Sequence, residues 1–461
     1  MLQTLRRAWG VPEVRRKLLF VLFILAIYRI GAVIPVPYVN AANFSSAFGG
    51  TIFSYMSILS GGALEQATLF ALGVSPYITA SIVLQLLTVA FPKLGERAKQ
   101  GEEGKEFINK WTRIVTVILS VVTAIGYYIL LANNNMLVKE ASFASEGSPW
   151  FLYAVTIVIC FCAGASLVMW LAEKINENGL GNGISMILFF NIICSLPNTI
   201  AQLVMVCRVG VENSTSGVGP AFAGFGLTLI VLLGLLAMTF FIVFITGSER
   251  RIPVQYAKRV VGRKMYGGQS TNLPLQLNMS GVMPVIFASS IVSLPATIMV
   301  LCGVTEETDG FWGVVYKIFD PNWWVYPILL FALIIGFAYF YITISFNPME
   351  VANNLKKNGG MIPGIRQGRP TAEYIAKILS KITLMGALFL SIIAILPIIV
   401  RPLVLEPLLG VAGAGSATLT QLAAGFTFGG TSILIVVGIA LETYREIEAQ
   451  LTMRNYKGFL S

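Results

Sequence analysis

Long apolar runs, separated by shorter polar segments, are the main pattern along the chain. Each run is close to the 20 residues that an α-helix needs to cross the hydrocarbon core of a bilayer. The pattern predicts an all-α integral membrane protein with ten transmembrane helices. The predicted spans cover residues 18–37, 70–91, 112–132, 150–173, 183–206, 225–247, 281–301, 326–346, 382–401 and 427–447.

The composition agrees with this pattern and argues against catalysis. The chain is 56% hydrophobic and only 12% charged, whereas soluble domains carry about 25% charged residues. Histidine is absent, and the five cysteines lack the spacing of a zinc site. The sequence also shows no phosphate-binding loop, catalytic triad or pair of carboxylates within a span. We therefore expect no enzyme activity, no cofactor and no metal.

Basic residues predict the orientation. Of the 32 Lys and Arg residues, 27 fall in the termini and in the loops that would share one side of the membrane. Lys and Arg concentrate in cytoplasmic loops, so we expect both termini in the cytoplasm. Arg29 alone lies inside a predicted span, where we expect it to snorkel to the interface or to pair with a backbone carbonyl.

A short motif occurs twice. Residues 73–81 read GVSPYITAS and residues 281–289 read GVMPVIFAS, and six of the nine positions match. The copies open the second and seventh spans, which predicts two halves of five spans, residues 1–210 and 211–461, with the second half inverted. Inverted repeats place a functional path between the halves.

The two copies carry the same chemistry. Gly and Pro interrupt the start of each helix, and small hydroxyl residues follow. Small residues let helices approach closely, so these helices are expected to meet and to separate readily. Ordinary small-residue packing is the alternative. The hydroxyls are those of Thr79, Ser81, Ser289 and Ser290.

The stretch before the first copy is too short and too polar to span. Residues 57–71 predict a short helix that folds back into the protein from the outer side and acts as a removable stopper. A helix lying on the membrane surface is the alternative. The residues that make this stretch unlike a span are Ser60, Gly61, Gly62, Glu65 and Gln66.

Two long basic loops, residues 248–280 and 347–381, each carry six Lys and Arg residues. The alternation in IPVQYAKRVV and the turn residues Gly262, Gly267 and Gly268 predict a protruding hairpin in the first loop. Both loops are longer than connectors need to be, which favours docking of an acidic or RNA-rich partner. Positive-inside topology with anionic lipid contact is the alternative.

Several long stretches resemble the SecY/Sec61-alpha family of protein translocase channels. They include SGGALEQATLFALGVSPYITASIVLQLL (60–87), GLGNGISMILF (179–189), RRIPVQYAKRVVGRKMYGGQSTNLPLQLNMSGVMPVIFASS (250–290) and FNPMEVANNLKKNGGMIPGIRQG (346–368). IYRIGAVIPVP (27–37) and FGGTSILIVV (428–437) extend the resemblance over nearly the whole chain. It implies a clamshell of ten helices around a channel for unfolded polypeptides.

The resemblance also implies roles for individual residues. The stretch from about Ile52 to Ala71 corresponds to the plug, and spans two and seven correspond to a lateral gate that releases signal helices into lipid. Gate positions are Thr79, Ser81, Ile82, Gln85, Ser289 and Ser290. The pore ring corresponds to Val74, Ile78, Leu188, Ile286 and Ile435. Docking positions for the ribosome and the SecA ATPase are Arg250, Arg251, Lys258, Arg259, Arg263, Lys356, Lys357 and Arg366.

Further expectations follow from the same resemblance. Gln367 stands where the family most often has proline, which would make that turn less rigid. The outer loops 302–325 and 402–426 are longer than expected for the family. The implied partners are the SecE and SecG subunits, SecA, the ribosome, signal peptides, nascent polypeptides and membrane lipids, in a bacterial plasma membrane.

Two other functional classes remain open on the residues alone. A secondary transporter of a small solute could use broken helices and an internal repeat, although the spans lack the carboxylates that ion coupling needs. A membrane scaffold or insertase without a pore is the other, but it needs neither a stopper nor an aliphatic ring.

Overall fold

A computed structural model gives the fold of most of the chain. The described residues are 2–40, 57, 59–98, 100–134, 136–138, 150–212, 218–256, 259–261, 264–266, 270–301, 310–320, 323–400 and 416–457.

Each of the ten predicted apolar segments coincides with a helix in the described part of the chain. These helices are α2 (Pro12–Gly31), α3 (Ser75–Ala90), α5 (Glu102–Asn133), α6 (Trp150–Asn178), α7 (Gly183–Glu212), α8 (Val218–Gly247), α9 (Met283–Leu301), α11 (Val325–Ser345), α13 (Arg369–Val400) and α14 (Ser416–Lys457). Four helical segments are by themselves long and apolar enough to span a bilayer among the residues described. The total of ten spans stays a prediction.

Shorter helices connect these elements. They are α1 (Leu2–Gly10), α4 (Pro92–Ala98), α10 (Phe311–Phe319) and α12 (Pro348–Lys357). The axis of α4 is bent by 110° from that of α3, because the chain turns at Phe91 and Pro92. In α12, the Asn347 side chain caps the first turn by accepting the N–H of Met349 at 3.2 Å.

The prediction for span one was wrong at its end. The helix stops at Gly31, whereas the apolar run continues to Pro37. Pro35 and Pro37 cannot donate the backbone hydrogen bonds that would continue a helix. The extended residues pair instead with the segment before α3, where Val36 N–H donates to Ala67 O and Leu69 N–H donates to Ile34 O.

The plug segment, defined here as residues 59–74, also differs from the prediction of a helix up to Ala71. Ser57 and Leu59 are helical, residues 60–74 form successive turns, and residues 52–56 lie outside the described chain. Gly61, Gly62 and Ala67 have positive φ values of 68°, 85° and 44°, which a right-handed helix does not accommodate.

One apolar core joins the helices around the plug segment. Buried side chains from α2, α3, α6, α7, α8, α9, α11, α13 and α14 form a single cluster, and it includes Ala63 and Phe70 of the plug segment. Contacts between the first five and the last five apolar helices come chiefly from α3 and α5 against α9, and from α7 against α8 and α14. The division at residue 210 stays a prediction.

Five strands lie in the two basic loops. They are β1 (Glu249–Tyr256), β2 (Arg259–Val261), β3 (Lys264–Tyr266), β4 (Ser270–Gln276) and β5 (Gly360–Met361). Antiparallel β1–β4 and β2–β3 pairs form the predicted hairpin; its turn residues Gly262, Gly267 and Gly268 lie outside the described chain. β1 also pairs with β5, so the sheet order is β4-β1-β5 and the two loops share one sheet.

Candidate pore and seal

The duplicated motif has the same local structure in both copies. Gly73 and Gly281 adopt φ values of 55° and 65°, in the left-handed region that favours glycine. Each helix starts two residues later, and the carbonyls of Val74 and Val282 accept the first N–H groups of α3 and α9. The sequence repeat therefore encodes one structural device, a glycine turn that opens an apolar helix.

A narrow cavity lies between α3 and α9. It admits water over only about 60 Å³ and is lined by aliphatic and hydroxyl side chains from five apolar helices and Leu59 of the plug segment. No charged side chain lines it among the described residues. The lining residues are Leu59, Ser75, Pro76, Ile78, Thr79, Leu119, Thr123, Leu188, Ile286, Ser289, Ser290, Ser293, Leu294, Thr297 and Ile435.

The structure brings the five aliphatic positions of the implied ring into one core. All five belong to the same apolar cluster and are buried. Four of them line the cavity, and the fifth, Val74, precedes α3 at its N-terminus. The volume left between them holds a few water molecules and not a polypeptide. The path between α3, α7, α9 and α14 is therefore closed in this structure.

Hydroxyl groups along the α3–α9 contact bond within their own helices. Thr79 Oγ1 donates to Ser75 O at 3.0 Å, and Ser289 Oγ donates to Ile286 O at 3.0 Å. Ser293 Oγ likewise donates to Ser290 O at 2.9 Å. Because each donor is satisfied by its own helix, separating α3 from α9 does not break these bonds.

The other predicted gate positions lie farther along α3. Gln85 Nε2 donates to Ser81 Oγ at 3.3 Å, and both side chains are half-buried outside the cavity lining. Ile82 is buried in the main cluster. The structure thus places Thr79, Ser289 and Ser290 at the cavity, while Ser81, Ile82 and Gln85 belong to the neighbouring turns.

Polar side chains from three helices hold the plug segment by its backbone. Asn191 of α7 donates from Nδ2 to Leu59 O at 2.8 Å and to the hydroxyl of Tyr28 at 2.9 Å. Arg29 Nη1 donates to Gly61 O at 3.0 Å, which confirms the expectation of pairing with a carbonyl. Tyr127 of α5 donates to Leu64 O at 2.7 Å. The plug segment is therefore attached to α2, α5 and α7.

Close backbone packing adds to this attachment. A Cβ placed on Gly164 of α6 would lie 1.8 Å from Leu69 O, far closer than atoms approach without displacement. Ser60 Oγ stabilises the first turn of the plug segment by donating to Ser57 O and accepting Leu64 N–H. Gly62 is half-buried and Gln66 is exposed.

Glu65 is a half-buried carboxyl in the plug segment, outside the predicted spans. Burial raises the pKa of the Glu65 carboxyl above its ordinary value, and a hydrogen bond with Ser57 opposes that rise. The ionised carboxylate is thus disfavoured in the closed arrangement.

The predicted docking residues lie on or beside the sheet. Arg250 and Arg251 on β1, Lys356 and Lys357 at the end of α12, and Arg366 in the following turn are all exposed. Lys258 and Arg263 lie outside the described residues, and only the backbone of Arg259 is placed, in β2.

Two contacts fix the shape of this surface. Gln367 Nε2 donates to Gly360 O at 3.1 Å, so the residue that replaces the expected proline braces the turn by a hydrogen bond. Arg445 of α14 bonds Gln276 Oε1 at 2.7 Å and Thr246 O, which ties the base of the sheet to the last helix.

Sequence reasoning missed Tyr28, Tyr127, Gly164 and Asn191. An amide within an apolar run, such as Asn191, is a signal for interhelical hydrogen bonding. Its partners could not be read from the pattern, because they lie on the irregular backbone of the plug segment. Among the described residues, no group of three Cys, Asp or Glu side chains is placed to hold a metal ion.

Solved structures of similar fold include one described as "The structure of a protein conducting channel", with a TM-score of 0.61, 18% sequence identity and coverage of 96% of both chains. Another concerns the plug domain of the SecY protein in the closed translocation channel, with a TM-score of 0.59 and 17% identity over 96% of both chains. The fold and the closed aliphatic path define a multi-pass membrane channel.

The SecY family model matches residues 68–444. The protein translocase subunit SecY of Streptomyces coelicolor is 42% identical over the full length of both chains. That of Mycobacterium tuberculosis is 42% identical over 97% of both chains. The chain belongs to the SecY family.

Proposed function

We propose that this chain is the channel subunit that conducts unfolded polypeptides across the bacterial plasma membrane and releases apolar signal helices sideways into lipid. The observation that carries the proposal is the closed cavity, where four aliphatic side chains converge from α3, α7, α9 and α14. Bulky aliphatic groups exclude ions by keeping a constriction dry, and they have no preference among polypeptide sequences.

The plug segment closes this path in the proposal. Leu59 lines the cavity beside the ring residues, and the contacts of Arg29, Tyr127 and Asn191 hold the segment in place. Opening requires the plug segment to leave and the ring to widen around the moving chain.

The α3–α9 contact is the proposed lateral gate. The hydroxyls of Thr79 and Ser289 donate within their own helices, so the seam is held mainly by packing. A signal helix, itself apolar, replaces that packing as it passes between α3 and α9. This supports gate roles for Thr79, Ser289 and Ser290, with Ser81, Ile82 and Gln85 extending the seam toward the far end of α3.

The basic sheet is the proposed docking surface, on the cytoplasmic side together with both termini. Its exposed cations, Arg250, Arg251, Lys356, Lys357 and Arg366, suit the ribosome or the acidic surface of the SecA ATPase. Lys258, Arg259 and Arg263 belong to the hairpin tip of the same surface. The chain itself supplies a passive path in this proposal, and the docked partner supplies the energy.

SecE and SecG are the proposed companion subunits, and the halves 1–210 and 211–461 are the proposed moving bodies. A small-solute transporter is disfavoured, because none of the described residues that line the cavity offers a charge to a polar substrate or a coupled ion.

Disulfide crosslinking tests this function. Thr79 and Ser290 line the same cavity from opposite helices, so Thr79→Cys with Ser290→Cys should crosslink at rest in a background lacking the five native cysteines. The crosslink should stop transport of a secretory precursor into inverted vesicles, and reduction should restore it. Crosslinking that leaves precursor transport and helix release unchanged would count against the lateral gate.

A further inference from the structure

The outer helix α10 is a feature that the proposed channel does not use. It lies between the end of α9 and the start of α11 and contacts both helices. α9 leaves the sheet side after β4 and is about 28 Å long, close to the roughly 30 Å thickness of the hydrocarbon core. α11 returns toward α12 and β5. α10 therefore lies at the membrane boundary opposite the basic sheet.

One side of α10 is fixed to the protein. Gly313, Tyr316 and the following Asp320 are buried, and Phe319 packs against the apolar clusters. Asp320 N–H donates to Lys317 O and ends the helix. The helix is therefore docked in a defined orientation.

The other side carries large apolar side chains with little protein around them. Phe311 is 75% exposed, Trp312 is 62% exposed and Val314 is 56% exposed. Trp324, which caps the start of α11, is 68% exposed. Leaving such side chains in water is unfavourable, because apolar surface gains free energy when it is removed from water. We therefore expect another medium, either lipid or protein, to cover this face of α10.

The chemistry of the face favours the lipid interface as that medium. Tryptophan, with an apolar ring and one N–H donor, concentrates where the acyl chains meet the headgroups. Exposed Ile298 near the outer end of α9 and Ile328 near the start of α11 extend the apolar surface into the spans. Lys317 lies on the same short helix, and its stem is long enough to reach phosphate groups.

We propose that α10 is a lipid anchor, in which Phe311, Trp312, Val314 and Trp324 insert into the boundary between phospholipid headgroups and acyl chains of the outer leaflet. Interfacial helices insert their apolar side about 5–10 Å below the headgroups. Because α10 packs against α9, the anchor holds the outer end of the helix that carries Ser289 and Ser290 at a fixed depth. The other helix of the seam, α3, can then move relative to α9, whose outer end is held at a fixed depth in the membrane.

Fluorescence quenching by brominated lipids tests the anchor. The full chain, with any subunits that copurify, is reconstituted in vesicles of phosphatidylcholine and phosphatidylglycerol with bromines at shallow or deep acyl positions. The signal is the difference in tryptophan emission between the unchanged protein and the Trp312→Phe, Trp324→Phe variant. Phenylalanine keeps the apolar surface, so the variant retains the fold. Trp323→Phe is the matched control, because Trp323 is adjacent and half-buried.

The anchor predicts a difference emission that shallow bromines quench more than deep ones and that aqueous iodide leaves unchanged. The Trp323→Phe control should remove less of the quenchable emission. Quenching by iodide and not by bromines would show that the face lies in water. Quenching by neither would show that a protein surface covers it. Either of these results overturns the proposal.

A nitroxide attached through Val314→Cys gives an independent reading in the background lacking native cysteines. If α10 is a lipid anchor, the nitroxide should collide more often with oxygen than with a water-soluble nickel complex. The reverse preference contradicts it. These measurements do not depend on polypeptide transport, so a failed anchor leaves the proposed channel untouched.

Discussion

Asn191 holds Leu59 by its backbone, with Nδ2 of the amide 2.8 Å from the carbonyl oxygen. The same nitrogen bonds the Tyr28 hydroxyl, so one buried side chain joins α7, α2 and the plug segment. The amide oxygen Oδ1 is itself buried without a partner among the described residues. An amide donor in this position stabilises the closed plug at the cost of one unsatisfied acceptor.

Replacing Asn191 should loosen the plug segment. Asn191→Leu keeps a side chain of similar size and removes two hydrogen bonds, each worth about 0.5–1.5 kcal/mol net. Only the bond to Leu59 O reaches the plug segment, so the closed arrangement should weaken by about 0.5–1.5 kcal/mol, or roughly 2- to 13-fold in the plug equilibrium. The measurement is the labelling rate of a Ser60→Cys thiol, buried in the closed segment, by an impermeant maleimide in a background lacking the native cysteines.

Thr156→Ala is the matched control for this variant. Thr156 also makes a side-chain hydrogen bond, but to its own helix and on an exposed face. It should leave the labelling rate unchanged. Equal labelling in Asn191→Leu and the unchanged protein would show that the amide does not hold the plug. Faster labelling without any resting ion leak would instead show that the plug moves but does not seal.

Ile78 and Ile286 should form part of the ion seal. Ile78→Gly combined with Ile286→Gly removes two aliphatic side chains from the cavity and should admit a continuous water path when the plug is displaced. Conductance across planar bilayers should rise above that of the Asn191→Leu variant alone. Ile78→Leu with Ile286→Leu keeps the aliphatic volume and should preserve the seal. An unchanged conductance in the glycine variant would place the constriction elsewhere.

Glu65 should make plug closure depend on pH. Its pKa is raised in the closed segment, so the closed state binds the proton more tightly than an open, solvated state. The free-energy penalty of closing the plug segment around an ionised Glu65 is full when the pH lies above the raised pKa. It disappears as the pH falls toward the ordinary pKa near 4.5. Acidification from outside should therefore slow the labelling of Ser60→Cys by more than it slows the labelling of an exposed cysteine, whose thiolate fraction also falls with pH.

Glu65→Gln supplies the check on this pH dependence. The neutral amide removes the cost of burying a charge, so the variant should label slowly at neutral pH and should slow in acid only as much as an exposed cysteine does. If the variant keeps the full pH response, another group titrates with the plug. If it labels faster, the Ser57 contact outweighs the burial of the charge.

Gly164 should tolerate no side chain. A methyl group at this position would lie 1.8 Å from Leu69 O, so Gly164→Ala forces the plug segment or α6 to shift. Overpacking of this kind costs about 1–3 kcal/mol. Thermal unfolding in detergent should begin at lower temperature, and Ser60→Cys should label faster. Gly336→Ala is the control, because its Cβ meets nothing within 4 Å; equal effects of the two substitutions would remove the steric explanation.

Arg366 should contribute to partner binding by charge. The side chain lies beside the sheet at the protein surface, so Arg366→Ala should weaken binding of ribosomes or of the SecA ATPase without changing thermal stability. Screening shortens the range of exposed charges to about 10 Å at 0.1 M salt, so the difference should shrink as salt rises. Lys317→Ala removes the same charge from α10, which we propose to lie on the opposite side of the membrane, and should leave partner binding unchanged. A salt-independent loss would indicate a direct packing role.

Apolar length and turn chemistry made much of the fold predictable. The ten apolar helices were visible because each run is long and nearly uncharged, and the positions of Gly73 and Gly281 were visible because both helices start with the same motif. The hairpin of β1 and β4 followed from alternation close in sequence. These features depend on neighbours along the chain.

Features that depend on distant partners were not predictable. The plug segment forms turns because Gly61, Gly62 and Ala67 adopt positive φ values while its backbone pairs with residues after α2. Nothing in the apolar pattern reveals which carbonyl Asn191 or Arg29 will meet. The pairing of β1 with the two-residue β5 was missed for the same reason, since so short a strand has no pattern of its own.

The order of synthesis gives the β4-β1-β5 sheet a further consequence. A ribosome makes β1 and β4 first, and β5 follows only after α9, α11 and α12 have left the exit tunnel. The third strand can therefore join only after α8, α9 and α11 have been made, while α13 and α14 still follow it in the chain. A chain that ends before Met361 lacks the third strand, so the complete sheet shows that synthesis has passed α11 and α12.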